Sequence, residues 1–179
     1  NVTSAHLEYH GTKAEVARRK SRIFSAMAEQ GVAIINRDMD EWPIVAAAAH
    51  ERGLRIVAYG QHSESDLRLT GYDAARGEVR AVLSGRPLGY RLAAPGLHMV
   101  FNSLACVAVL DALGLPLAPA LSQFELFRAP ARRGEILDLR VGALRLRVVR
   151  DAHNAHPAPM PRAHPPRGRP RPPSPPRPP

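Results

Sequence analysis

The segment HLEYH places His6, Glu8 and His10 at alternate positions. On a strand, alternate residues share one face. Imidazole and carboxylate ligate divalent ions, and carboxylate suits Mg2+. The same spacing also serves a solvated polar strand face, and both readings stand. Lys20 shares a helical-spacing stripe with Val16, Ile23, Phe24 and Met27. It either snorkels its ammonium past the core or is desolvated, with its amine free for chemistry. His98 and Asn102 sit four apart at the start of an apolar helical run, as a cap or as a polar edge facing a ligand. Asp151, His153, Asn154 and His156 crowd one loop. Cys106 lies inside the apolar run and is expected in the core rather than as a nucleophile. No H-E-x-x-H, G-x-x-x-x-G-K-[ST], G-x-S-x-G or G-x-G-x-x-G sequence is present, so no complete catalytic set is legible.

These residues need elements to position them. Thr12 and Glu15 form a T-x-x-E box that predicts a helix from Thr12 to about Gln30, with Gly31 as its stop. Val32 to Ile35 and Leu54 to Tyr59 read as buried strands, joined by an Ala-rich helix from Ile44 to Arg52. Strand, helix, strand at this spacing implies parallel β/α units. Asp66 to Tyr72, Glu78 to Leu83 and Gly89 to Leu92 alternate between glycines or prolines, as an antiparallel meander does. A long helix follows from His98 to Leu113, stopped by Gly114, and a short one after Pro116. Ile136 to Val141 and Ala143 to Val149 return to strand, with a turn at Gly142. Asp151 to Pro157 then lies at a strand's C-terminal end, where α/β folds place ligands.

The formal charge of +9 is unevenly placed. Pro157 to Pro179 holds twelve prolines, five arginines and no acid, which leaves +4 on the remainder. The basic balance is therefore mainly a property of the tail, and it says little about what the folded part binds. Pro/Arg low complexity cannot bury a core, and it fits a linker or a shifted reading frame. One cysteine excludes an intrachain disulfide and fits a reducing, cytoplasmic setting. No apolar run is long enough for a membrane span. The chain starts without Met, with an extended segment under way at Val2, as a piece of a longer chain would.

Five segments in order resemble the Mur ligase family. NVTSAHLEYHGTKAEVARRKSRIF is similar to its N-x-[ST]-x-[AD]-H-L-[ED]-x-x-G segment with a downstream lysine. GVAIINRDMDEW resembles its next strand and N-x-D-D-like loop. GLHMVFNSLACVAVLDALGL resembles its G-x-H-N-x-x-N-A-L-A-A helix, RRGE its G-R-x-E turn, and RDAHNAHPAPM its D-D-x-Y-N-A-N-P-x-S-M segment. The resemblance is nearest to the D-alanyl-D-alanine-adding members and covers about residues 1 to 160.

The resemblance implies an ATP-dependent amide ligase of peptidoglycan precursor synthesis that works through an acyl phosphate. It implies ATP and Mg2+ as cofactors, and a UDP-linked muramoyl peptide and D-alanyl-D-alanine as substrates. By the same match Lys20 is the carbamylated, Mg2+-binding lysine and His6 a metal ligand, with Glu8 at the metal or on the substrate side. Asn102, Arg133 and Asp151 match positions that contact adenine, phosphate and ribose. The implied fold is α/β: a partial, mostly parallel sheet with flanking helices and a small antiparallel meander, then the first strands of a second α/β domain. Residues 1–126 are expected in the central ATP-binding domain, 127–160 at the start of the C-terminal domain, and 161–179 in a disordered Pro/Arg tail.

Several positions depart from the family pattern. Met99 replaces an Asn of the helix motif, Arg132 replaces a glycine, and Arg150, His153 and His156 replace Asp, Tyr and Asn. The family's G-T-x-G-K-T phosphate loop is expected before Asn1, so this chain alone is expected to be inactive. YHGT after HLE leans instead toward the members that add the third residue of the stem peptide. A different class, a basic-tailed nucleic-acid binder, rests on the tail alone, and trimming residues 157–179 should then abolish binding.

Overall fold

Val32–Asn36 (β1) and Arg55–Gly60 (β2) pair in parallel, with Val32 opposite Arg55 and Asn36 opposite Tyr59. The computed structural model describes residues 12–94, 96–127, 135–142 and 144–150. A parallel pair needs a crossover, and Trp42–Glu51 (α2) supplies it. Pro43 sits in the first turn of α2, where its missing N–H leaves nothing unpaired. Leu67–Asp73 (β3) joins β2 in parallel only at Leu67 and Arg68. The chain then reverses twice, through Glu78–Leu83 (β4) and Arg86–Arg91 (β5), both antiparallel. The second reversal uses Ser84 and Gly85, both at positive φ, as a two-residue hairpin turn requires. The parallel pair and the meander thus form one five-stranded sheet in the order β1-β2-β3-β4-β5.

Two helix layers cover this sheet. Leu97–Ala112 (α3) packs across β1, β2 and β3. Leu67, Val79, Val100, Leu104 and Val107 are its fully buried meeting points. Burying one such side chain contributes about 1.5–3 kcal/mol, so this layer dominates the apolar stabilisation. Lys13–Ser21 (α1) and α2 form the other layer, where Ala17, Ala33, Ile35, Val45, Ala49 and Leu54 make a smaller cluster. Leu117–Phe124 (α4) follows Pro116 as expected, and the Phe124 ring meets Tyr90 at 5.2 Å. Glu135–Val141 (β6) and Leu144–Arg150 (β7) form a separate antiparallel pair that turns at Gly142. Among the described residues, no helix is long and apolar enough to cross a membrane.

Three expectations are corrected. The first helix ends at Ser21 and tightens into a 3-10 segment over Arg22–Ala26, instead of running to Gln30. Thr12 still caps its start, accepting from the Glu15 N–H at 3.2 Å. A 3-10 segment turns 120° per residue, so it does not continue a 3.6-residue stripe. Ile23 is accordingly 69% exposed, while Phe24 and Met27 still pack inward. The buried side of α1 is Val16, Ala17 and Ser21. Lys20 falls between Val16 and Ala17 around the helix yet is exposed, so the expectation of a desolvated amine is not met. Cys106 is exposed as well. It lies two positions from Leu104, about 200° around the helix from the buried line.

Candidate functional site

Parallel strands bring their C-terminal ends to one edge, and ligands of α/β sheets bind there. In this chain that edge carries Asn36 and Tyr59, which face each other in register. A small cavity of about 130 Å3 opens beside them, lined among others by Lys20, Phe24, Asn36, Met39 and Tyr59. Lys20 is therefore exposed at the end of α1 and reaches this strand edge.

The loops leaving β1 and β2 are tied together. Asn36 is buried, and its Oδ1 accepts the Asp38 N–H at 2.8 Å. The Asp38 carboxylate accepts the N–H groups of Gln61 at 2.7 Å and His62 at 2.9 Å. Gly60, at φ +148°, lies directly against that carboxylate, and a Cβ there would come within 2.6 Å of both oxygens. Asp66 accepts the Ala58 N–H at 2.7 Å, which satisfies β2 just before β3 joins it. Arg37 donates to Glu64 at 2.7 Å and lies 4.5 Å over the Trp42 ring. The hydrogen bond from Arg37 and its positive charge hold the Glu64 carboxyl below its usual range. Burial, then the nearby Asp38 charge, pushes the Tyr59 phenol up.

Of the expected site residues, Lys20 is the one this edge gathers. Asn102 is exposed on α3 and is absent from the cavity lining, with its side-chain amide 3.9 Å from the Met99 sulfur. His6, Glu8, His10, Arg133, Asp151, His153, Asn154 and His156 lie outside the described residues. Among the described residues, no three His, Cys, Asp or Glu side chains cluster to hold a metal. Sequence reasoning missed Asp38, Gly60, Asp66 and Tyr59. The available signal was N-R-D directly after a strand and a glycine directly after its parallel neighbour.

The Mur ligase middle domain family model matches residues 1–110. The chain belongs to the Mur ligase family. A UDP-N-acetylmuramate–L-alanine ligase of Salinispora arenicola (strain CNS-205) is 30% identical over 163 residues, covering 89% of this chain and 31% of that protein. A UDP-N-acetylmuramyl-tripeptide synthetase of Roseiflexus sp. (strain RS-1) is 30% identical over 155 residues, covering 79% of this chain and 30% of that one. A solved structure of MurF from Acinetobacter baumannii superposes with a TM-score of 0.75 at 25% identity, covering 89% of this chain and 34% of that one. The chain thus spans about a third of the length of the Mur ligases it matches. The mixed five-stranded sheet, its flanking helices and the separate two-stranded pair agree with the α/β domains of this family.

Proposed function

We propose that these residues belong to an ATP-dependent ligase that joins D-alanyl-D-alanine to a UDP-N-acetylmuramoyl tripeptide. The supporting observation is the position of Lys20 beside Asn36 and Tyr59, at the C-terminal edge of a parallel strand pair in a Mur ligase middle domain. In the reaction, a substrate carboxylate takes the γ-phosphoryl group of ATP and ADP leaves. The amine nitrogen then attacks the acyl carbon, the C–O bond to phosphate breaks, and the ammonium proton passes to solvent. Bound Mg2+ would neutralise charge on the phosphates during transfer.

As a carbamate, Lys20 at this edge would help to hold a divalent ion. The lone pair of the neutral amine adds to CO2, an N–C bond forms, and one N–H proton goes to water. The product is a carboxylate in place of a cation, and a hard divalent ion prefers oxygen ligands. His6 would be a second ligand, with Glu8 beside it, and Asn102, Arg133 and Asp151 would contact the nucleotide. We place the middle domain at residues 1–126, the start of the C-terminal domain at 127–160 and a tail at 161–179, in a cytoplasmic enzyme.

Relatives that add L-alanine or build the tripeptide support the alternative of another amino-acid-adding Mur ligase. Phosphate release, measured on the ligase containing these residues, separates the two. A rise only with D-alanyl-D-alanine supports the proposal, and a rise only with a different amine moves the assignment to the alternative. The 179 residues hold no G-x-x-x-x-G-K-[ST] loop, so this chain alone should release no phosphate from ATP. Robust Mg2+-dependent release by it would contradict that.

A further inference from the structure

One residue ties together the two strand ends that line the Lys20 cavity. The loop from Asn36 to Glu41 leaves β1 and supplies Asn36 and Met39 to the cavity. On one side, Asp40 pairs with Lys13 at 3.4 Å, which ties the loop to α1, the helix that carries Lys20. That pair is exposed on both partners, so it contributes little. On the other side, Asp38 holds the backbone where β2 ends, through the Gln61 and His62 N–H groups. Tyr59 lies one residue before Gly60 and lines the same cavity. Charge-assisted hydrogen bonds to backbone N–H groups are about twice as strong as neutral ones. Here two of them meet on one carboxylate, which occupies the space that a Cβ at Gly60 would fill. Asn36 fixes the same residue from behind by accepting its N–H.

We propose that Asp38 is a positioning residue: by locking the exit of β1 to the exit of β2, it fixes Asn36 and Tyr59 as one wall of the cavity that Lys20 also lines. It touches no substrate. Its role is to hold the edge on which the Lys20 carbamate is stabilised, and so it rests on the reading of Lys20 given above. Gly60 is the other half of the device, because any side chain there would displace the carboxylate.

The test is 13C NMR of the purified chain in 13C-bicarbonate, read together with amide hydrogen exchange. Wild type should show a carbamate resonance that Lys20→Arg removes. Asp38→Ala should speed exchange at Gln61 and His62 and lower carbamate occupancy by about tenfold, the scale of one charge-assisted hydrogen bond. Asp38→Asn keeps one acceptor oxygen and should fall between. If Asp38→Ala loosens Gln61 and His62 but leaves the carbamate at wild-type occupancy, Asp38 is only structural and the inference fails while the Lys20 reading stands. If wild type shows no carbamate, both fail. If Asp38→Ala does not fold, Asp38→Asn decides: reduced occupancy in a folded chain supports the role, and unchanged occupancy overturns it.

Discussion

The two ends of the five-stranded sheet solve different problems. At the β3–β5 end, the strands reverse through short turns and hold large apolar side chains against α3, with Leu67, Val79 and Leu104 almost wholly buried. Its one buried polar pair is self-contained. The Ser103 hydroxyl donates to the Val100 carbonyl at 2.8 Å, so the Tyr90 hydroxyl, 2.6 Å away, donates to Ser103. At the β1–β2 end α3 covers one face, the face under α1 and α2 is alanine-rich, and the loops are held by carboxylates and a glycine. Strength sits at one end and polar geometry at the other, as expected where one edge of a sheet must receive a ligand. On the far side of β1, an apolar groove of about 750 Å3 runs past Ile34, Cys106, Val109 and Phe127.

Four substitutions sharpen or break this contrast. The largest effect belongs to the apolar end: Leu104→Ala should cost about 2–5 kcal/mol in urea unfolding. A cost under about 1 kcal/mol would mean that α3 is not the stabilising layer. Gly60→Ala comes next, at about 1–3 kcal/mol for the strained backbone, with the clash against Asp38 added. Its signature is local, namely faster exchange at Gln61 and His62 with α3 amides unchanged.

Tyr90 gives a pH test of the apolar end. Burial pushes its phenol up to about 12 from 10.0. Between those values the unfolded chain gives up the proton while the folded chain keeps it. Stability should therefore fall with rising pH through this window, by about 1.4 kcal/mol per unit from this group. Tyr90→Phe should remove that slope and cost about 1 kcal/mol at neutral pH through the lost hydrogen bond. An unchanged alkaline slope in the variant would place the titrating group elsewhere. The smallest effect on stability is at the functional edge: Lys20→Ala should change it by less than about 0.5 kcal/mol, because the side chain is exposed. A large loss would make Lys20 a structural residue.

The elements were legible where local chemistry decides them. Thr12 with Glu15, Pro116 and Gly114 all mark the helix ends expected of them, because caps and breakers act within a few residues. The 3-10 segment after Ser21 was not legible, since the apolar spacing of Phe24 and Met27 fits either helix. The joining of β2 to β3 was also hidden, because two ladder positions carry it and Asp66 stands in for the rest. At the site, Lys20 stood out by its residue type, whereas Asp38 and Gly60 act through backbone groups far apart in sequence. Nothing in a one-dimensional pattern pairs them.

If the C-terminal edge of β1 and β2, with Lys20 beside it, receives a divalent metal as proposed, the metal should be detectable there. Paramagnetic Mn2+ titrated into the 15N-labelled chain tests it most directly. Amide signals of Lys20, Asn36 and Tyr59 should broaden first, at low Mn2+, while those of Val79 and Ala81 on β4 stay sharp. Broadening centred on the β3–β5 end, or none at the three edge residues, would contradict the account.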